Sequence, residues 1–130
     1  MEGDKKKILI VDDDTFLLDM YALKFSQNSF EVHTASSGEI AIEKLKNNLN
    51  PDILLMDIIM PGMDGFEMLK KINEGKLAVN AVKVFLSNKG QKSDIDEGIS
   101  LGASGYIVKA NSTPAEVITQ VIKIFQDKHK

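Results

Sequence analysis

The segment Ile53-Leu54-Leu55-Met56-Asp57 is a continuous apolar run that ends in a carboxylate. A second segment of the same kind, Ile8-Leu9-Ile10-Val11, ends in Asp12-Asp13-Asp14. Short apolar runs without polar interruption are typical of strands covered on both faces, as in a parallel sheet. The two segments therefore predict two central strands of an α/β domain.

Three further apolar runs extend this pattern along the chain, and they predict strands over 30–32, 82–86 and 106–108. Segments with helical spacing of apolar residues follow the strands. Capping boxes are predicted at 36–39 and at 113–116, and a weaker helix is predicted over 93–101, where Gly98 interrupts the pattern. A strand followed by a helix, five times in succession, predicts a doubly wound parallel sheet with helices on both faces.

Composition limits the classes of function. The chain has 130 residues and 43% hydrophobic content, which suits one domain over 1–130. The absence of cysteine excludes disulfides and thiolate chemistry, and a net charge of -3 disfavours direct binding of nucleic acid. No apolar run approaches the roughly 20 residues of a membrane span, so a cytoplasmic location without membrane contact is predicted. The chain ends soon after the fifth predicted helix, and no output domain is expected.

Polar residues follow four of the predicted strands: Asp12, Asp13, Asp57, Ser87 and Lys109. In an open parallel sheet, ligands bind outside the carboxyl ends of the strands, so these side chains are expected to converge at one edge. Any one of them alone has an ordinary explanation, because aspartate after a strand is common in turns and helix caps. Asp14 is expected to be such a cap, for the first helix.

The charges of this set predict a metal-assisted reaction at phosphorus. Asp12, Asp13 and Asp57 carry three negative charges, which a divalent cation and Lys109 together would offset. Hard carboxylate oxygens favour magnesium or manganese over zinc. A carboxylate beside the metal can act as a nucleophile toward phosphorus. The chain contains neither a Walker sequence nor GxGxxG, so the phosphoryl donor is expected to be another molecule.

The segments 8–13 (ILIVDD), 57–65 (DIIMPGMDG) and 102–109 (GASGYIVK), together with Ser87, resemble the receiver domain of bacterial two-component response regulators. The likeness covers essentially the whole chain. It implies a flavodoxin-like (βα)5 fold with strand order 2-1-3-4-5. It also implies a phosphorylation-activated signalling switch rather than an enzyme with turnover.

The resemblance assigns roles to the strand-end residues. It implies that Asp57 is the phosphoacceptor, that Lys109 assists it, and that the donor is a phosphohistidine on a sensor histidine kinase or a phosphotransfer protein. It implies that Asp13 and Asp57 bind magnesium directly, with the backbone carbonyl of Ile59 as a third ligand. Asp12 would act through a metal-bound water.

The resemblance also implies a conformational relay to a downstream protein target. Ser87 would move toward the phosphoryl group, and Tyr106 would turn inward into the vacated space. A tyrosine in a short strand is otherwise an ordinary core residue. The chain contains no arginine, so the arginine-containing dimer of regulators that drive winged-helix DNA binding is not supported. A monomer or a weak phosphorylation-dependent dimer is expected.

Three positions bear on the site. Ala110 replaces the proline that usually follows the site lysine, and the Lys109–Ala110 bond is expected to be cis. Ile59 and Lys89 stand where the family places residues along the path of attacking water. Ile59 cannot orient a water, and Lys89 would either bind a phosphoryl oxygen or remain solvated. Both alternatives predict slow self-dephosphorylation.

Two other functions compete with this interpretation. A phosphatase of the haloacid-dehalogenase type also uses an aspartate nucleophile, but segment 12–16 (DDDTF) lacks its Asp-x-Asp-x-Thr or Asp-x-Asp-x-Val pattern, and 130 residues leave no room for a cap domain. A degenerate receiver would act as a phosphate-independent interaction module. It is disfavoured because every residue type of the acceptor site is present.

Overall fold

Strands and helices alternate along residues 5–129, the part of the chain that the computed structural model describes. The elements are β1 (Lys6–Val11), α1 (Thr15–Gln27), β2 (Phe30–Ala35), α2 (Gly38–Lys46), β3 (Ile53–Met56), α3 (Gly65–Glu74), β4 (Val82–Ser87), α4 (Lys92–Ser100), β5 (Gly105–Val108) and α5 (Pro114–Lys128). All neighbouring strands are parallel, in the order β2-β1-β3-β4-β5. The predicted fold and strand order are confirmed.

The register of β1 and β3 aligns the residues that follow the two strands. Ile8 pairs with Ile53, and Val11 pairs with Met56, so the two strands end side by side. The backbone N–H of Asp57 donates to the carbonyl of Val11 at 2.9 Å. This ladder places Asp12 and Asp57 next to each other at the carboxyl edge of the sheet, as the sequence predicts.

Alternating residues of each strand supply two separate hydrophobic cores. Ile8 and Ile10 point toward one core, with α1 and α5, and Leu9 and Val11 point toward the other, with α2 and α3. Burial of a large apolar side chain contributes about 1.5–3 kcal/mol, so both cores stabilise the central strands. This two-sided burial is the reason for the continuous apolar runs.

The helix caps agree with the sequence at most positions. Thr113 and Glu116 form the predicted capping box, with Pro114 at the first helical position. Asp14 caps α1, accepting from the backbone N–H of Leu17 at 3.2 Å. The capping box predicted at 36–39 is wrong, because Ser37 is the cap and accepts from the N–H of Ile40, whose apolar side chain cannot complete a box.

Helix α4 includes Gly98 because the helix lies very close to the sheet at this residue. A Cβ at Gly98 would stand 3.0 Å from the ring of Phe85 and 3.3 Å from the ring of Tyr106. The glycine therefore lowers helix propensity but permits this contact. The sequence pattern is weak here for a reason of packing rather than because the helix is absent.

Candidate functional site

The carboxyl edge of the sheet holds a cluster of three carboxylates and one ammonium group. Asp12, Asp13 and Asp57 each offer an oxygen atom, and these three atoms lie within 4.8 Å of one another. The Lys109 Nζ atom lies 2.8 Å from Asp12 Oδ2 and 3.1 Å from Asp57 Oδ2. The structure thus brings together residues that follow β1, β3 and β5.

Asp12 is the most buried of the three carboxylates, at 3% exposure. Its Oδ1 atom accepts from the backbone N–H of Asp14 at 3.0 Å, and its Oδ2 atom accepts from Lys109. Burial raises the pKa of Asp12, and the nearby charge of Asp57 adds to the rise, while the bonds from Lys109 and Asp14 oppose it. The buried charge therefore depends on Lys109.

Asp57 is held by the loop that follows β3. At 7% exposure, its Oδ1 atom accepts from the backbone N–H of Ile58 at 2.7 Å. The loop then folds back, and the N–H of Gly65 donates to the Ile58 carbonyl at 2.8 Å. A Cβ at Gly65 would stand 2.2 Å from the Asp57 carbonyl oxygen, so this close return requires glycine.

Lys109 lies between two buried carboxylates, with a side chain that is 11% exposed. Burial alone would lower the pKa of Lys109, but the hydrogen bond to Asp12 and the charges of Asp57 and Asp12 together raise it above its ordinary value. The ammonium is therefore charged at neutral pH and offsets one of the cluster's three negative charges.

The predicted cis bond at Lys109–Ala110 is wrong. The peptide bonds of residues 5–129 are all trans, and Lys109 still contacts both carboxylates. Without a proline ring, trans is favoured by about 3–4 kcal/mol. The chain turns after β5 through a single 3-10 turn, Lys109–Asn111, which lets the trans backbone direct the lysine into the site.

The two predicted switch residues both bind the residue at position 89. Ser87 is fully buried, and its Oγ atom accepts from the backbone N–H of Lys89 at 3.3 Å. The hydroxyl of Tyr106 donates to the backbone carbonyl of Lys89. Burial, with the charges of Asp94 and Asp57, raises the pKa of Tyr106 to about 12. The phenol therefore stays protonated and able to donate at neutral pH.

The side chain of Lys89 pairs with an acidic residue of α4, a contact that the sequence analysis did not describe. Its Nζ atom lies 3.6 Å from Asp94 Oδ1, in the first turn of α4. In the unphosphorylated protein, the Lys89 side chain is thus 40% exposed and paired with Asp94. Sequence reasoning missed Asp94, whose only signal is an acidic residue near the start of a helix. Ile59, the other predicted path residue, is 60% exposed.

The fold and the strand-end cluster together define a class of phosphorylation-activated signalling domain, and comparison with known proteins identifies the family. The family model described as the response regulator receiver domain matches residues 8–122. The chain therefore belongs to the receiver domain family of two-component response regulators. No helix within the described residues is both long and apolar enough to cross a membrane.

Individual relatives agree with this assignment. The chain is 33% identical over 121 residues to the alkaline phosphatase synthesis transcriptional regulatory protein PhoP of Bacillus subtilis, covering 93% of this chain and 49% of PhoP. It is 36% identical over 115 residues to the transcriptional regulatory protein SrrA of Staphylococcus aureus, covering 88% and 46%. The chain thus spans about half the length of the curated relatives it matches.

Solved structures show the same architecture across nearly the whole chain. The chemotaxis protein CheY4 of Vibrio cholerae has a TM-score of 0.84 at 26% identity, covering 92% of this chain and 98% of CheY4. A CheY-like receiver domain protein of Methanospirillum hungatei has a TM-score of 0.85 at 25% identity, covering 97% and 98%.

Proposed function

We propose that Asp57 accepts a phosphoryl group from a phosphohistidine on a sensor histidine kinase or phosphotransfer protein. The P–N bond of the donor breaks, its electron pair stays on the imidazole nitrogen, and a carboxylate oxygen of Asp57 forms the new P–O bond. The observation that carries this proposal is the convergence of Asp12, Asp57 and Lys109 within hydrogen-bond distance at the carboxyl edge of the sheet.

Lys109 acts on the charge of the transferring group. Its ammonium lies 3.1 Å from Asp57, beside the oxygen atoms that the phosphoryl group brings to that carboxylate. A cation placed there before the reaction stabilises the negative charge on the equatorial oxygens without further reorganisation. Lys109 therefore assists transfer to Asp57 while it also offsets the charge of Asp12.

The three carboxylates fit magnesium or manganese. Their oxygens are hard ligands, they lie within 4.8 Å of one another, and Asp13 is exposed to solvent. Asp13 and Asp57 would hold the ion directly with the backbone carbonyl of Ile59, and Asp12 would act through a water bound to the ion. When bound, the ion supplies positive charge for the phosphoryl oxygens.

Ser87 and Tyr106 transmit the change. Ser87 donates its hydroxyl hydrogen to a phosphoryl oxygen, and Tyr106 takes up the space that Ser87 and its loop leave. Support for this relay is that both side chains bind Lys89, through its N–H and its carbonyl. A shift of that one residue therefore moves the partners of both.

Exposed apolar side chains beside the acceptor-site carboxylates favour a protein, rather than a small molecule, as the phosphoryl donor. Phe16 is 79% exposed three residues after Asp13, and Ile59 is 60% exposed two residues after Asp57. Single exposed apolar residues are normal on protein surfaces, so the support from these two lies in their position beside the acceptor-site aspartates. The domain then acts in the cytoplasm on a downstream protein, as a monomer or weak phosphorylation-dependent dimer, without binding nucleic acid directly or contacting a membrane.

The test is phosphoryl labelling in the presence of magnesium, with a phosphohistidine protein and with acetyl phosphate as donors. Intact mass should rise by one phosphoryl group in the parent and in Asp14→Asn, whose side chain only caps α1. Asp57→Asn should abolish labelling. Labelling that survives Asp57→Asn, without diversion to Ser87, would contradict the assignment. Rapid donor turnover would instead indicate a phosphatase, and neither labelling nor turnover would indicate an interaction module.

A further inference from the structure

Lys89 is the residue on which three separate contacts meet. Its backbone N–H donates to Ser87 Oγ, and its backbone carbonyl accepts from the Tyr106 hydroxyl. Its ammonium lies 3.6 Å from the Asp94 carboxylate. Asp94 itself is fixed, because its other oxygen accepts from the N–H of Gln91 in the capping box of α4.

A cavity of about 430 Å³ joins this ion pair to the residues that follow Asp57. Ile58, Ile59, Lys89 and Asp94 are among the residues that line the cavity. The ammonium of Lys89 therefore borders an open space that reaches the two residues directly after Asp57.

Four acidic residues line this cavity, Asp64, Glu67, Asp94 and Glu97, and Asp94 is the one paired with the Lys89 ammonium, at 3.6 Å. In the unphosphorylated protein, Asp57 is already paired with Lys109, so Asp94 is the available partner. Phosphorylation adds about one negative charge and three acceptor oxygens at Asp57. The pair with Asp94 is long and partly exposed, which makes it weak. The new charge at Asp57 is then the stronger attraction.

We infer that Asp94 is a positioning residue that holds Lys89 away from Asp57 until phosphorylation, when Lys89 exchanges Asp94 for a phosphoryl oxygen. This inference rests on Asp57 being the phosphoacceptor. Bound to the phosphoryl group, Lys89 protects it from hydrolysis, in which water attacks phosphorus and returns a free carboxylate. Asp94 opposes that protection by competing for Lys89, so it shortens the lifetime of the phosphorylated state.

The experiment is a double-mutant cycle on the decay of phosphorylated protein after donor removal. Asp94→Asn keeps an oxygen for the N–H of Gln91 but loses the charge, and it should lengthen the half-life about two- to fivefold, the range an ion pair of this exposure can shift. Asp94→Glu should retain the parental half-life. Lys89→Gln should shorten it, and Asp94→Asn should then have no further effect.

The matched control is Asp96→Asn, which removes an equal charge from the same helix. Asp96 pairs with Lys92 at 2.7 Å on the exposed face of α4, so its loss should leave the half-life unchanged. The inference is overturned if Asp96→Asn lengthens the half-life as much as Asp94→Asn does. It is also overturned if Asp94→Asn has its full effect in the Lys89→Gln background. Neither result affects the assignment of Asp57 as the acceptor. Failure of Asp57 to become labelled overturns both.

Discussion

Replacement of Lys109 by methionine tests how far one ammonium sustains the acceptor site. The change removes the cation that contacts Asp12 and Asp57 but keeps a long side chain of similar volume. Two buried carboxylates, 3% and 7% exposed, are then left facing each other. Their repulsion acts in the folded protein and is absent in the unfolded chain, so the free energy of unfolding must fall.

The size of the effect follows from burial. Loss of one partner from a buried ion pair costs about 3–5 kcal/mol. The lower end applies here, because Asp12, whose pKa burial already raises, can take up a proton instead. A loss of about 3 kcal/mol lowers the midpoint of thermal unfolding by about 10 °C for a domain of this size.

The pH dependence has a defined sign. A carboxylate whose folded pKa is raised binds more protons in the folded state, so its contribution to stability grows as the pH falls. The deficit of Lys109→Met relative to the parent should therefore shrink as the pH is lowered from neutral toward the raised pKa of Asp12. The additional change Asp57→Asn should restore part of the stability, and saturating magnesium should do the same.

The assay is thermal unfolding followed by circular dichroism, with a chelator present. The control is Lys92→Met, which removes an exposed ammonium from its pair with Asp96 and should leave the midpoint unchanged. An unchanged midpoint in Lys109→Met at neutral pH would refute the reasoning, as would a deficit that grows on acidification.

Two further variants test the metal ligands and the packing of α4. Asp13→Ala should weaken magnesium binding, measured by calorimetry, more than Asp12→Ala, because Asp13 is the proposed direct ligand. Equal affinities of the two variants would show that these roles are misassigned. Gly98→Ala should lower the free energy of unfolding by about 1 kcal/mol, measured by thermal unfolding. The cost of crowding the Phe85 ring outweighs a gain of about 1 kcal/mol in helix propensity. Ser100→Ala, exposed in the same helix, is the control and should not destabilise.

The sheet and its carboxyl edge were predictable because both follow from burial. A strand covered on two faces must be apolar throughout, which identifies Ile8-Leu9-Ile10-Val11 and Ile53-Leu54-Leu55-Met56 directly. Parallel strands then place the residues after them at one edge. Asp12, Asp57 and Lys109 could be grouped on that rule alone, before any contact between their side chains was known.

Features that depend on the path of a short loop were not predictable in the same way. The capping residue of α2 is Ser37. Ser36 and Ser37 are adjacent and of the same type, so the residue type alone does not show which of them caps the helix. The ion pair between Lys89 and Asp94 depends on how residues 88–91 turn, and four residues carry no periodicity. The trans bond before Ala110 went against an expectation drawn from family likeness rather than from the alanine itself.

The lifetime of the phosphoryl group connects the acceptor site with the position of Lys89. The sequence predicts slow loss of phosphate from Ile59 and Lys89, but an isoleucine that is 60% exposed excludes little water by its bulk. The remaining reason to expect slow hydrolysis is chemical, because neither side chain can accept a proton from the attacking water. The proposed exchange adds protection by Lys89, whose ammonium pairs with Asp94 in the unphosphorylated protein. On this proposal, slow hydrolysis requires that Lys89 leave Asp94, and the charge gained at Asp57 is what attracts its ammonium.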